Sequence, residues 1–128
     1  MAWSFDADRP IFQQIEDILT ARILAGQYAP GEKLPAVREL ALEAGVNPNT
    51  MQRALADVEA RGLVFTRRGD GRYVSEEEVA VRKARQQSAA RYVDDMIAAL
   101  TALGISPSDI PGLVAARLEQ GVEKRLNV

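Results

Sequence analysis

The stretch LPAVRELALEAGVNPNTMQRALADVEARGLVFTRRGDGRYV, Leu34 to Val74, restricts the fold more than any other part of the chain. Its breakers and caps fall at spacings that leave one local reading. After Pro35, Val37, Leu40, Ala41 and Ala44 follow the i, i+3, i+4, i+7 rule of an amphipathic helix, and Gly45 supplies the left-handed residue that ends it. Asn47-Pro48 restarts the chain, with Asn as N-cap and Pro at the first helical position, where a missing N–H costs nothing. The second helix, 48–61, buries Met51, Leu55 and Val58, closes at Gly62, and leaves Asn49, Thr50, Gln52 and Arg53 on its other face. Two helices across so short a turn, the second with a polar first turn, form a helix-turn-helix.

A hairpin follows at once. Leu63 to Thr66 favours a strand, Arg68-Gly69-Asp70-Gly71 is a turn, and Arg72-Tyr73-Val74 returns. The formal net charge of −2 at first argues against a polyanionic partner, but its distribution argues the other way. Between Arg61 and Arg72 stand Arg61, Arg67, Arg68 and Arg72 against Asp70 alone, a local basic patch able to supply phosphate contacts. The same arginines could protect the edge of the hairpin, as basic residues often do.

These residues resemble the winged helix-turn-helix of the GntR family of bacterial transcription regulators. The resemblance rests on PGEKLPAVRELALEAGVNPNT, on QRAL and EARGLV, and on the wing RRGDGRYV, and it covers Ile11 to Val74. VNPNTMQRAL and RRGDG, with a short tail beyond, are most similar to the small YtrA subfamily. The resemblance implies DNA contacts from Arg38, Asn47, Asn49, Thr50, Gln52 and Arg53, and from Arg68 with Gly69 in the wing; Arg67 and Arg72 join them as candidates for phosphate or minor-groove binding. By residue type, Asn and Gln can bond adenine edges, Arg can bond guanine or phosphate, and Thr suits phosphate or a thymine methyl. Each has a structural alternative: Asn47 is explained by capping alone, and Arg38 could pair with Glu39 or Glu43. Pro48 and Gln52 stand where relatives often carry Arg, so the operator sequence does not transfer. Ala36 replaces a frequent capping Ser, which weakens that helix start by about 1 kcal/mol.

Upstream, Trp3 and Phe5 are apolar anchors in an arm spanning residues 1–9, either packed on the body or partly ordered. Pro10 opens a scaffold helix whose stripe is Ile11, Ile15, Ile18, Leu19, Arg22 and Ile23, stopped by Gly26. Lys33-Leu34 can form a short strand beside the wing. Downstream, Ser75-Glu76-Glu77-Glu78 reads as a capping box opening a helix of about 28 residues, roughly 42 Å, to Leu103. Tyr92, Val93, Met96, Ile97, Leu100 and Leu103 form a stripe on it. Gly104 ends it, and Ser106-Pro107-Ser108-Asp109 starts a last helix, regular only from Pro111, that aligns Leu113, Val114, Arg117, Leu118 and Val122.

The expected fold is mostly α with a small β-hairpin wing: a winged helix-turn-helix over 1–75 and a two-helix tail over 76–128. Two tail helices cannot bury both stripes on each other, so the tail is expected to form a homodimer through Tyr92, Val93, Met96, Ile97, Leu100, Leu103, Leu113, Val114 and Leu118. Folding back onto the winged domain is the alternative. A twofold dimer implies a double-stranded DNA operator built as an inverted repeat, with half-sites roughly 34 Å apart or a multiple of that, helix 48–61 in the major groove and wing 65–74 beside it.

The resemblance further implies a repressor, with transporter genes as its expected targets, and a small-molecule effector where the tail meets the winged domain. Residues 75–128 are too few for a separate ligand domain. No Cys and no His are present, so thiolate metal sites and the usual general base are missing, and no metal or cofactor is expected. Asp94-Asp95 and Glu76 to Glu78 are adjacent on helices and point apart, which disfavours an enzyme. With no apolar run long enough for a membrane span and no signal peptide, a cytoplasmic protein is expected. The competing class is a winged-helix protein-interaction module, which would lack salt-dependent DNA binding.

Overall fold

The computed structural model describes the backbone of residues 3–126 and the side chains of residues 3–121. The chain divides into two compact units, one up to Arg85 and one from Gln86.

In the first unit, α1 (Ile11–Leu24) and α2 (Val37–Ala44) both pack on α3 (Pro48–Ala60). The core is what the helical periodicity requires: Ile15, Leu19 and Ile23 from α1, Leu40, Ala41 and Ala44 from α2, and Met51, Ala54, Leu55 and Val58 from α3 are all buried. Each large apolar side chain removed from water contributes about 1.5–3 kcal/mol. Ile18 is half-buried and Ile11 is exposed, so the buried part of the α1 stripe is narrower than its sequence suggests. Two polar residues, Gln14 and Thr20, take buried places on that helix instead.

Gly26, Gly45, Gly62 and Gly104 all stop helices, as their positions predict, and each has positive φ. At Gly45 (φ 76°) the amide of Val46 donates to Ala41 O at 3.0 Å and that of Gly45 to Leu42 O at 3.3 Å. This closure satisfies two orphan carbonyls and lets α3 begin three residues later. Asn47 Oδ1 then accepts the Asn49 amide at 2.8 Å, the expected N-cap, with Pro48 opening the helix.

The wing consists of β1 (Val64–Arg67) and β2 (Gly71–Val74), antiparallel with Val64 opposite Val74, Phe65 opposite Tyr73 and Thr66 opposite Arg72. The segment before α2 adds a fragment of third strand through the Lys33–Tyr73 bridge, with the Leu34 amide donating to Arg72 O at 2.9 Å. The arm packs on the body: Trp3 and Phe5 lie against the core, and the Trp3 amide donates to Ala44 O at 3.3 Å.

The helix α4 (Glu78–Ala102) begins later than its acidic start predicts. No reciprocal capping box forms, because the Ser75 amide already donates to Leu63 O at 2.9 Å and has nothing left for Glu78. The Ser75 hydroxyl instead accepts the Glu77 amide at 3.1 Å, in the turn before the helix.

In the second unit, a 3₁₀ turn (Pro107–Asp109) leads directly into α5 (Ile110–Leu126). Regular helix therefore starts before Pro111, which falls in the first turn where amides lack intrahelical acceptors and its missing N–H is harmless. Ile110 is buried, whereas Tyr92 (57%), Leu103 (76%) and Leu118 (62%) are well exposed. Val93, Ile97 and Leu113 are exposed too; Met96, Leu100 and Val114 are half-buried. These last three help line an open apolar cleft of about 670 Å³. The side chain of Val122, placed on the α5 stripe by its spacing, lies outside the described residues. Among the described residues no helix is long and apolar enough to cross a membrane.

Candidate nucleic-acid interface

The sharp turn at Gly45 leaves the first turn of α3 uncovered. Asn49, Gln52 and Arg53 are exposed there, Thr50 is half-buried, and Asn47 is exposed with its carbonyl oxygen committed to the cap. Arg38 is exposed on α2, and Arg68 with Gly69 is exposed at the wing turn. Among the described residues, Arg38 and Arg68 carry no hydrogen bond or ion pair, so both guanidiniums are available to an outside anion.

The other arginines are engaged within the molecule. Arg53 lies over the Phe12 ring, 3.6 Å from its centroid. Arg67 lies 4.3 Å from the Tyr73 centroid, and Tyr73 stacks in turn on Phe65 at 5.9 Å. Arg72 Nε donates to Glu59 Oε1 at 3.3 Å, its side chain only 17% exposed. Arg61 pairs with Glu16 at 3.5 Å, bridging α3 to α1. The basic run from Arg61 to Arg72 therefore presents less free charge than its composition suggests.

Its single acid is engaged as well. Asp70 accepts a 2.5 Å hydrogen bond from the Tyr73 hydroxyl and a 3.0 Å ion pair from Lys33. Those two donors hold its carboxyl below the usual range, and the same contacts raise Lys33 and Tyr73. The wing tip thus carries a neutralised acid beside a free Arg68. Between residues 33–37, α3 and the wing lies a cleft of about 430 Å³, lined in part by Gln52 and Arg72.

Several participants escape sequence reasoning: Phe12 under Arg53, Lys33 against Asp70, and Glu59 beneath the wing. Local spacing gives no signal for pairs 37 or 41 positions apart. Laying out the hairpin register could have raised the Glu59 question, because it sets Thr66 opposite Arg72 and leaves two donors on one face.

Residues 11–74 match the family described as bacterial regulatory proteins, gntR family. The HTH-type transcriptional repressor YtrA of Bacillus subtilis is 45% identical over 67 residues, 52% of each chain. A GntR family transcriptional regulator from Listeria monocytogenes superposes with a TM-score of 0.78 at 35% identity, over 88% of this chain and 98% of that one. AraR(DBD), solved in complex with operator ORX1, superposes with a TM-score of 0.53 at 26% identity, over 56% of this chain and 93% of that one. A helix-turn-helix closed by Gly45 and Asn47, a wing bearing free Arg68, and these likenesses converge: the chain belongs to the gntR family of bacterial regulatory proteins, as a transcriptional regulator of the GntR/YtrA type.

Proposed function

We propose that this regulator binds a double-stranded inverted-repeat operator as a homodimer, with residues 1–75 reading DNA and residues 76–128 joining two copies. The observation that carries the reading is the exposed set around the first turn of α3: Arg38, Asn49, Gln52 and Arg68, two of them unpartnered cations, on three successive elements. In the major groove, Asn49 and Gln52 are of the right type to read adenine edges, while Arg38 and Arg68 hold phosphates on either side. The operator-bound AraR(DBD) supports this placement by its similarity to the first unit. The YtrA likeness favours a repressor, and transporter genes are the target class to examine first. We assign the chain a cytoplasmic location and no catalytic activity.

Footprinting with genomic fragments tests the reading. Purified protein is expected to protect paired half-sites, and protection should weaken steeply as salt rises. A folded protein that retards no fragment at low ionic strength refutes the function.

A further inference from the structure

One carboxylate joins the recognition helix to the wing. Glu59, in the last turn of α3, accepts the Thr66 hydroxyl at 2.8 and 3.1 Å on its two oxygens and Arg72 Nε at 3.3 Å. Thr66 and Arg72 face each other across the hairpin, so this one side chain grips both strands. A two-stranded hairpin alone is marginal in water, so its angle to α3 depends on such ties. That angle decides where Arg68 sits relative to Asn49 and Gln52.

We propose that Glu59 is a positioning residue for DNA reading: without touching DNA, it sets the wing against α3 so that Arg68 meets the backbone in register with the base contacts. Arg72 then belongs to this brace rather than to the DNA contacts. The inference rests on the DNA-binding reading above. A bystander would behave in the opposite way. A carboxylate near a phosphate-facing surface repels DNA, so removing an idle one raises affinity.

The test is a double-mutant cycle of Glu59→Ala with Arg68→Ala on a fragment protected by the wild type. Each single variant is expected to weaken binding about tenfold, and the pair to bind no worse than the weaker single. In both single variants the slope of log affinity against log salt should flatten by about 0.9, one phosphate contact. In the free protein, hydrogen exchange should accelerate in wing amides 66–72 of Glu59→Ala but not along α3. Arg72→Gln, which breaks the brace from the other side, should reproduce these results if Glu59→Ala fails to fold. Independent losses that multiply, or affinity unchanged or raised on removing Glu59, overturn the inference while leaving the function intact. A wild type that protects no fragment removes the function and this inference together.

Discussion

Gln14 is buried on the otherwise apolar face of α1, and its amide is fully used: it accepts the Asp6 amide at 2.7 Å and donates to Asp6 O and Arg9 O, both at 2.9 Å. These bonds tie the amino-terminal arm down. Gln14→Ala should therefore cost about 2 kcal/mol in urea denaturation, since leaving a buried polar group without its partner costs roughly 1–3 kcal/mol. A cost below about 0.5 kcal/mol would mean the arm is held elsewhere. At the far end of the arm, Trp3 Nε1 donates to Glu43 Oε2 at 2.8 Å, and Arg22 pairs with the same oxygen at 2.8 Å while lying over the indole. The hydrogen bond from Arg22, aided by the one from Trp3, holds the Glu43 carboxyl below its ordinary range. A depressed folded value contributes stability above the unfolded carboxylate range, and that stability is lost as pH falls through the folded value. Acid titration of the only tryptophan's fluorescence should therefore show an arm transition below the usual Glu range, absent in Glu43→Gln. At the interface, Arg38→Ala should abolish operator protection in footprinting while leaving the mass by light scattering unchanged; full protection would show that Arg38 does not touch DNA.

At the scale of elements, the start of α2 is where stability can be added. Ala36 occupies its N-cap with extended backbone and offers no side-chain hydrogen bond. Ala36→Ser should stabilise the first unit by about 1 kcal/mol, visible as a rise of roughly 4–8 °C in the thermal midpoint. The helix boundaries of the first unit are legible in the sequence because they are local: Gly45, Asn47 and Gly62 act on residues within one turn of themselves. The wing is legible for the same reason, its turn sitting between two short strands. The failed box at Ser75 shows the limit. Its sequence is a good local signal, but Leu63, twelve residues back, takes the amide first. The site divides similarly, since exposure at Arg38, Asn49, Gln52 and Arg68 follows from helix and turn periodicity. The engagement of Arg53, Arg67 and Arg72 depends on Phe12, Tyr73 and Glu59, which only the folded chain brings near.

For the whole molecule, the tail decides the assembly. The apolar stripe along the second half of α4 and the start of α5 is largely exposed, as two helices too few to bury it would leave it. The double variant Met96→Lys/Leu100→Asp should shift the light-scattering mass from two chains to one and weaken operator binding at least tenfold, because each half-site would then be held separately. A variant dimer as tight as the wild type would place the contact elsewhere. Charge has a further consequence at this scale. Among the described residues, ion pairs occupy Arg9, Arg22, Lys33, Arg61 and Arg72, and the chain as a whole is slightly acidic. Little long-range pull then draws it to unrelated sequence, since that attraction scales with the phosphates a surface can neutralise. Such a protein travels between chromosomal sites by release and recapture rather than by prolonged one-dimensional scanning, and occupancy of its target depends chiefly on how slowly it leaves.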